Sequence, residues 1–335
     1  MAEYKGIKGF KVQYLSADPS NPIVGQIWYN DTSKNLKFTE FAPASIASGG
    51  NLNTTRRGVS GAGTQTAALA FSGYTGTSTT ASTESYNGTT WTTVTGLPTA
   101  VYNSGATGTQ TAALSFGGNL DPGVNSATNL WNGSAWTAGA APTLAPSGIF
   151  EGRGAGTQTA TITCGTRTNE PAPLQPGLNE LWDGTSWTST PGLNTFRTSG
   201  GTAGNSTSAL VYGGEGPTPT IFLSTEEWNG SAWSTQNNKS QGVKYSNQGP
   251  VGTVSTALSF GGLTPTSVGS TAVELYDGTS WSTSPVTLPT GKGEMGGAGS
   301  SSAALYMGGN SPASVLNTSF EWTDAAPVTK TITVS

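Results

Sequence analysis

Few side chains in this sequence could carry out chemistry. The 335 residues include no histidine and one cysteine, Cys164. Histidine is the commonest general base and the commonest transition-metal ligand, so its absence removes the usual residue for both roles. Cys164 ends the apolar run 160–164, where we expect a small buried hydrophobic side chain rather than a reactive thiol. The sequence therefore predicts no cofactor and no metal.

The acidic residues are a further candidate for catalysis, because a pair of carboxylates can hydrolyse a glycosidic bond. Four glutamates recur two residues before an aromatic residue: Glu84, Glu180, Glu226 and Glu274. Their spacing places them at equivalent points about one repeat apart, not around one bond. We therefore expect surface or inter-repeat hydrogen bonds from these side chains, and no enzyme activity.

A cluster of arginines could clamp an anionic substrate, but arginines are few in this chain. They include Arg56, Arg57, Arg153, Arg167 and Arg197. Three of them precede the first strand of a repeat at the same place, which favours a structural role over a substrate clamp.

The charge distribution and the N-terminus exclude two further classes of partner. The formal net charge is -4, and no stretch gathers Lys and Arg into a stripe, so we expect no nucleic-acid partner. Residues 1–16 alternate charged and apolar side chains without a continuous apolar run. We therefore expect neither a signal peptide nor membrane insertion.

Two repeated phrases define the elements that hold these residues. The first, Gly-Thr-Gln-Thr-Ala-Ala-Leu, starts at Gly63, with close copies at Gly108, Gly156, Gly204, Gly252 and Gly299. The second ends on a tryptophan in the first five repeats: Trp91, Trp136, Trp187, Trp233 and Trp281. The sixth copy keeps Glu321 and Trp322 but lacks the turn and the second tryptophan.

Each repeat divides into four short strands, because its Gly and Pro clusters leave no room for a crossover helix. Asn-Gly or Asp-Gly before the tryptophan strand supplies the positive φ values of a tight hairpin. One such blade cannot bury its faces, whereas blades packed around an axis bury the aromatic residues of both neighbours. The predicted fold is all-β: a six-bladed β-propeller of four-stranded antiparallel blades over residues 51–335, with a small non-repeat segment at 1–50.

The glycine and tryptophan pattern resembles the kelch repeat. The matching glycine pairs follow an apolar strand at Gly117-Gly118, Gly213-Gly214, Gly261-Gly262 and Gly308-Gly309. An aromatic residue follows each pair, with a tryptophan five residues beyond it in every case except the sixth repeat. Kelch-like propellers include copper oxidases that need histidine at the metal, so this chain is expected to lack that activity.

A narrower resemblance joins the repeat phrase to residues 24–30 (VGQIWYN) and 51–54 (NLNT). Together they look like virion structural proteins of marine tailed phages that infect cyanobacteria. The resemblance implies synthesis in the host cytoplasm, a place in the virion, oligomeric assembly there and contacts with other virion proteins. It also implies that residues 1–50 attach the propeller, with Trp28, Tyr29 and Phe38 as candidate attachment residues in a hairpin around 31–35. A cap over one end of the propeller is the alternative.

The sixth blade needs a fourth strand, and two segments could supply it. One is residues 44–48, which align with the tryptophan strands of the other repeats. The other is residues 328–334, whose residues alternate. A strand from the N-terminal side would tie the two ends of the chain together and remove exposed strand edges.

The two faces of such a propeller should differ. First-to-second and third-to-fourth turns lie on one face and are nearly invariant, whereas second-to-third loops lie on the other and vary widely, as binding loops do. Two of these loops contain several prolines and large apolar residues. They supply the candidate binding residues Glu170, Leu174, Ile221, Phe222 and Leu223.

Three functions remain open at this point. The first is a non-enzymatic virion structural protein, in a tail, fibre or surface appendage, that contacts proteins or a host-surface glycan. The second is a free glycan-binding propeller, and the third is a glycan hydrolase.

Overall fold

The computed structural model describes residues 12–143, 149–168, 176–216, 220–311 and 314–332. All regular elements in these ranges are β-strands, which confirms the predicted all-β class. No helix in the described ranges is long and apolar enough to cross a membrane. The chain divides into two compact units, residues 1–45 with 323–335 and residues 46–322.

The first unit is built on one four-stranded sheet. In spatial order its strands are Gln13–Leu15, Ile27–Asn30, Asn35–Ala42 and Ala326–Thr331. Ile27 pairs with Phe38 in an antiparallel register, which confirms the predicted hairpin around residues 31–35. The first pairing is parallel and the last is antiparallel.

The second unit contains six sheets of the predicted four-stranded, antiparallel type. Blade 1 consists of Ser60–Gly63, Ala68–Phe71, Thr83–Tyr86 and Trp91–Val94, and blade 2 of Gly105–Gly108, Ala113–Phe116, Thr128–Trp131 and Trp136–Gly139. Blade 3 consists of Gly154–Gly156, Thr161–Thr163, Pro176–Trp182 and Trp187–Thr190, and blade 4 of Gly201–Asn205, Ser208–Tyr212, Thr225–Trp228 and Trp233–Gln236. Blade 5 consists of Gly252–Thr253, Thr256–Phe260, Val273–Tyr276 and Trp281–Thr283, and blade 6 of Gly296–Gly299, Ala303–Met307, Ser319–Thr323 and Ser45–Ser48.

The fourth strand of blade 6 comes from the N-terminal side of the repeats. Of the two segments that the sequence left open, Ser45–Ser48 joins the blade 6 sheet beside Ser319–Thr323. The C-terminal strand Ala326–Thr331 pairs instead with Asn35–Ala42 in the first unit. Blade 6 can therefore lack the hairpin turn and second tryptophan of the other repeats, because its last strand does not follow its third strand in sequence.

The blades form a propeller in which first strands meet around a central axis. Contacts run from the first strand of blade 6 to that of blade 1, and on through blades 2, 3, 4 and 5. Backbone hydrogen bonds also link neighbouring blades at the start of the first strands. Gly58 N donates to Glu294 O (2.9 Å), and Asn103 N donates to Gly58 O (2.9 Å). Tyr245 N donates to Ser199 O (2.8 Å), and Glu294 N donates to Tyr245 O (3.0 Å).

Aromatic pairs fill the spaces between blades, as the sequence predicts. In blade 3 the rings of Trp182 and Trp187 lie 5.2 Å apart, and Trp187 also meets Phe116 of blade 2 edge-on at 5.2 Å. The indole N–H of Trp187 donates to Thr128 Oγ1 of blade 2 (2.9 Å). Trp187 therefore joins blades 2 and 3 through both apolar contact and a hydrogen bond.

Blade 3 departs from the prediction in its second-to-third connection. The sequence predicts a variable loop between its second and third strands, but Thr166–Thr168 and the start of Pro176–Trp182 form additional strand pairing there. Ile149–Phe150 pairs with Thr166–Thr168 and widens the sheet to six strands. The pairing of Thr166–Thr168 with Pro176–Trp182 shifts register between Thr166 and Arg167. Thr166–Thr168 and the start of Pro176–Trp182 pair with each other, so the antiparallel pairing of the blade extends beyond its second strand.

The glutamine of the repeated phrase joins each of the first three blades to the blade before it. Gln110 Nε2 donates to Ala68 O (3.2 Å) and to Tyr86 O, both in blade 1. Gln65 and Gln158 make the equivalent bonds to blades 6 and 2. The glutamine of the phrase therefore contacts the neighbouring blade and is also part of a turn.

We expect Gln110→Ala to lower the free energy of unfolding by about 1–2 kcal/mol, since two hydrogen bonds between blades are lost. Ser206→Ala is the matched control, because Ser206 occupies the same turn position in blade 4, where the long amide is absent. Urea unfolding of both variants measures the difference. Equal stability of the two variants would show that the glutamine bonds contribute nothing.

Candidate functional site

The four recurring glutamates are buried and not on the surface. Glu84 of blade 1 is fully buried; its Oε2 accepts from Asn53 N (2.6 Å), and its Oε1 accepts from Thr54 N and Arg56 Nη2 (both 3.1 Å). Glu180, Glu226 and Glu274 are buried at the same position, each with a backbone N–H of the preceding linker. The surface alternative is wrong, because all four carboxylates are buried, where they bind the linkers that enter blades 1, 3, 4 and 5.

Three of these buried carboxylates pair with a cation, which differs in type or position from blade to blade. Arg56 pairs with Glu84 and Arg197 with Glu226, while in blade 5 Lys239 pairs with Glu274 (2.8 Å). Burial lowers the pKa of Arg56 to about 10, so the guanidinium is still charged at neutral pH. These arginines have the structural role that the sequence predicted.

Blade 6 keeps the cation but lacks the carboxylate. Its third strand carries Phe320 at the glutamate position, and Lys292 Nζ lies 4.2 Å from the centre of that ring. The ammonium also donates to Thr318 Oγ1. Burial lowers the pKa of Lys292 to about 8, because no anion compensates its charge there.

We expect Lys292→Met to raise the free energy of unfolding at pH 7 by about 1–2 kcal/mol, since an unpaired buried ammonium is replaced by an apolar side chain. The pKa of Lys292 is lower in the folded than in the unfolded protein. Above about pH 10.5 the amine is neutral in both states and does not reduce stability. As the pH falls from there towards 8, the unfolded state binds the proton first, so the free energy of unfolding decreases. The variant should therefore lose that part of the pH dependence. Lys239→Met is the matched control and should destabilise, because it leaves Glu274 unpaired; a destabilised Lys292→Met would contradict the prediction.

Six residues at the start of the first strands surround the axis in a left-handed backbone conformation. They are Gly58, Asn103, Glu151, Ser199, Tyr245 and Glu294, with φ between 55° and 62°. Only one is a glycine, so five side chains adopt a backbone conformation that non-glycine residues rarely take. The inter-blade backbone hydrogen bonds described above hold this conformation. Because the six positions surround the axis, their unlike side chains lie close together there.

An axial segment, residues 246–251, crosses the axis beneath this ring. Gln248 N donates to Met295 O of blade 6 (2.9 Å), and Gly61 N of blade 1 donates to Gln248 O (2.8 Å). Gln248 Nε2 reaches Asn103 Oδ1 of blade 2 (2.7 Å). A Cβ at Gly249 would lie 2.4 Å from Gly61 O, so only glycine fits there. Seven residues separate Tyr245 from Gly252, whereas five separate Ser199 from Gly204, and this longer connection closes the axis.

The charged residues above the axial segment form what we call the hub cluster: Arg57, Glu151, Arg153, Tyr245 and Glu294. Arg57 Nη1 binds both carboxylate oxygens of Glu294 (2.8 and 2.6 Å). The hydroxyls of Tyr245 and Ser199 donate to the two oxygens of Glu151. The cluster joins blades 1, 3, 4, 5 and 6 at the axis.

The electrostatics of the hub cluster follow from burial. Burial raises the pKa of the Glu294 carboxyl; Arg57 and Arg153 oppose the rise, and the like charge of Glu151 adds to it. Burial also raises the pKa of Tyr245 well above its usual value, and Glu151 adds to this rise. Arg153 is 1% exposed, and its Nη2 has no hydrogen-bond partner. All four carboxylate oxygens of Glu151 and Glu294 accept hydrogen bonds from side chains of the protein.

Four partly exposed residues, which we call the hub rim, lie close in sequence to the first or second strands: Tyr74 and Glu215 follow the second strands of blades 1 and 4, and Tyr102 and Lys244 precede the first strands of blades 2 and 5. The Tyr74 and Tyr102 rings lie 5.5 Å apart, and the Arg57 guanidinium lies 5.0 Å above Tyr74. Lys244 Nζ binds Glu215 Oε2 (2.7 Å). The aromatic pair therefore belongs to blades 1 and 2, and the ion pair to blades 4 and 5.

The hub cluster corrects the sequence-based view of the arginines. Arg56 and Arg197 are seven residues before their repeat glycines, but Arg153 is only three residues before Gly156. Arg57 and Arg153 converge with two carboxylates and a tyrosine because rotational symmetry brings equivalent positions to one axis. In the sequence, an alignment of the residue five positions before each repeat glycine would have shown these unlike side chains. Tyr245 would have been missed, because the longer connection puts it seven positions before Gly252.

The predicted binding residues are only partly described. Glu170 and Leu174 lie outside the described residues, as do residues 217–219 of the other loop. Ile221 and Phe222 are half-buried, and the Phe222 ring lies 5.6 Å from the Arg197 guanidinium. Leu223 is 41% exposed. Of these three, Leu223 is the one that faces solvent.

The predicted attachment residues belong to the first unit. Trp28 is fully buried, and its indole N–H donates to Asp18 Oδ1 (3.0 Å), so it is an internal residue of this unit. Tyr29 and Phe38 are half-buried. The large exposed side chains of the unit are Val12, Tyr14, Ile23, Val24, Phe41 and Ile332.

Among the described residues, no three Cys, Asp or Glu side chains are grouped as metal ligands would be. Cys164 is buried in the blade core, and burial raises the pKa of its thiol. Comparison with known protein families and with curated protein sequences finds no match.

Proposed function

We propose that this chain is a non-enzymatic structural protein of a phage particle, placed in a tail, fibre or surface appendage. The proposal rests on the resemblance of residues 24–30 and of the kelch-like repeats to virion proteins of marine cyanobacterial phages. In this proposal the chain is made in the host cytoplasm, assembles with other virion proteins and contacts a partner through its variable-loop face. The exposed apolar side chains of the first unit suit attachment better than the buried Trp28 does.

The observation that best supports binding without catalysis is the state of the hub carboxylates. Glu294 is held by Arg57, and Glu151 by two hydroxyls, so both acids are engaged inside the protein. The other buried acids, Glu84, Glu180, Glu226 and Glu274, accept from backbone N–H groups of the linkers into blades 1, 3, 4 and 5. A glycan hydrolase needs one carboxyl that can give a proton and another that can attack or activate water.

Purified phage particles test the proposal. Mass spectrometry should detect the chain at a constant ratio to other virion proteins, and labelled antibody should locate it on the particle surface. A chain found solely as a soluble monomer would contradict the proposal. Incubation with host polysaccharide should release no new reducing ends; turnover that Glu294→Gln abolishes would establish the hydrolase instead.

The variable-loop face can be tested separately from folding. Leu223→Ser should weaken association with the partner or particle while the melting temperature changes little, because an exposed side chain is changed. Phe222→Ser is the matched comparison and should also lower stability, since its ring packs on Arg197. Unchanged association of Leu223→Ser would remove this loop from the contact surface.

A free glycan-binding propeller is the second candidate. The observation that favours it is the pair of partly exposed tyrosines beside charged groups at the hub rim. Soluble protein that binds host polysaccharide but is absent from particles would support this candidate.

A further inference from the structure

The turns between the third and fourth strands make the same hydrogen bonds in blades 1 to 5, although their first residue differs. In each turn, Oδ1 of that residue accepts from the backbone N–H groups two and three positions later, at 2.7–3.0 Å. The glycine that follows it has φ between 92° and 98°. Three turns begin with an amide and two with a carboxylate: Asn87, Asn132 and Asn229, and Asp183 and Asp277.

An asparagine that precedes glycine can be converted to aspartate by its own backbone. The glycine nitrogen loses its proton to water and attacks the side-chain Cγ, which glycine permits because it has no side chain to hinder the approach. The bond from Cγ to the amide nitrogen breaks, that nitrogen takes a proton from water, and ammonia leaves. Water then opens the resulting cyclic imide and leaves a carboxylate. One water is consumed and one ammonia is released.

The first of these steps moves negative charge onto Oδ1, where the folded turn already places donors. Asn87 Oδ1 accepts from Thr89 N (3.0 Å), Thr90 N (2.9 Å) and Thr89 Oγ1 (2.9 Å). Ser134 and Ser231 supply the equivalent hydroxyls in blades 2 and 4. Donors already oriented towards an oxygen that gains charge lower the barrier of such a reaction. Asn87 and Thr89 are exposed, so water can reach the imide.

The same turn stabilises the aspartate product. Asp183 Oδ1 accepts from Ser186 N and Thr185 N (both 2.8 Å), and hydrogen bonds from these two residues hold the pKa of Asp183 well below its usual range. The equivalent bonds lower the pKa of Asp277. A carboxylate accepts such bonds more strongly than an amide does. The alternative product, isoaspartate, adds a carbon to the main chain and loses the side chain that accepts these bonds.

We propose that Asn87, Asn132 and Asn229 are sites of self-catalysed deamidation, in which the folded turn converts asparagine to aspartate. The modification makes all five turns alike and takes the formal net charge of the chain from -4 to -7. The three new carboxylates lie on the face that carries the third-to-fourth turns. The inference does not depend on the proposed virion role, because it rests on the turns alone.

Peptide mapping by mass spectrometry tests the proposal on the folded full chain, incubated in mildly alkaline buffer. Asn205 is the matched internal control, because it is exposed and its Oδ1 accepts from Thr207 N (2.9 Å) and Ser208 N (3.1 Å), but Ser206 follows it instead of glycine. Amide loss at the three Asn-Gly turns should be at least about tenfold faster than at Asn205, a difference of about 1.4 kcal/mol in activation free energy.

Two further comparisons test what the folded turn contributes. Thr89→Ala removes one donor to Asn87 and should slow amide loss there about two- to fivefold, the effect of one exposed hydrogen bond. The other two turns of the same variant should keep their rates. The parent chain unfolded in guanidinium chloride should lose amides more slowly and give more isoaspartate, because neither the donors nor the product's hydrogen bonds are in place.

Four results would each overturn the proposal. They are a rate at Asn205 equal to that of the Asn-Gly turns, faster amide loss in the unfolded chain, isoaspartate as the main product of the folded chain, and an unchanged rate at Asn87 in folded Thr89→Ala. Asn87→Asp checks the product separately. It should melt no lower than the parent, because blades 3 and 5 already carry a carboxylate at this position.

Discussion

Replacement of Trp187 by alanine should lower the free energy of unfolding by about 3–5 kcal/mol, a large share of the stability of an ordinary domain. Trp187 is 4% exposed and packs against Phe116 of blade 2 and Trp182 of its own blade. Alanine removes both ring contacts and the hydrogen bond to Thr128. The space cannot close easily, because rigid strands surround it on both sides.

Urea unfolding with a tryptophan-independent probe, such as far-UV circular dichroism, measures this loss. Trp187→Phe is the control, because it keeps one aromatic ring between blades 2 and 3 while it loses the indole N–H and the smaller part of the ring contact. It should cost about 1–2 kcal/mol. Equal losses for the two variants would mean that the hydrogen bond, and not ring packing, holds these blades together.

Glu84→Ala should have a comparable effect, about 3–5 kcal/mol, because it leaves Arg56 charged and unpaired inside the protein. The same change removes the acceptor of the backbone N–H groups of Asn53 and Thr54. The linker into blade 1 should loosen, with faster amide exchange at these two residues. Calorimetry and hydrogen exchange measure both effects.

Blade 2 supplies a natural control for this pair. It carries Val101 and Asn129 at the positions of Arg56 and Glu84, and both are buried. The double variant Arg56→Val with Glu84→Asn should therefore recover much of the stability that Glu84→Ala loses. A double variant as unstable as the single one would show that an unpaired charge is not the cause.

The strands and turns of the blades were predictable because the same sequence pattern occurs in each repeat. The Asn-Gly and Asp-Gly turns, the aromatic pairs and the apolar second strands recur at nearly constant spacing, so local chemistry determines the blade. Burial of the recurring glutamates was not predictable, because their partners Arg56 and Arg197 lie about thirty residues away in sequence and appear in only two of the six repeats.

The hub cluster depends on the part of the fold that does not repeat. Glu151, Tyr245 and Glu294 occupy equivalent backbone positions with unlike side chains, so no phrase marks them. They meet only once six blades surround one axis. The connection after Tyr245 is longer than in the other repeats and fills that axis. It also shifts Tyr245 out of alignment with the equivalent residues when the repeats are compared.

The choice of closing strand was left open by the sequence because residues 44–48 and 328–334 are both plausible short strands. Pairing decides between them: Ser45–Ser48 joins blade 6, and Ala326–Thr331 joins the first unit. Ser45–Ser48 therefore brings the residues just before blade 1 into the sheet of the last blade, and Arg57 of blade 1 pairs with Glu294 of blade 6.

A pair of truncated proteins tests that closure most directly. Loss of residues 1–43 keeps Ser45–Ser48, and the remaining propeller should melt within a few degrees of the propeller transition of the full chain. Loss of residues 1–50 removes the closing strand of blade 6 and should lower that transition by ten degrees or more, at roughly 2–4 °C per kcal/mol for a unit of this size. Two truncated proteins that melt together, near the full-length transition, would contradict closure by the N-terminal strand.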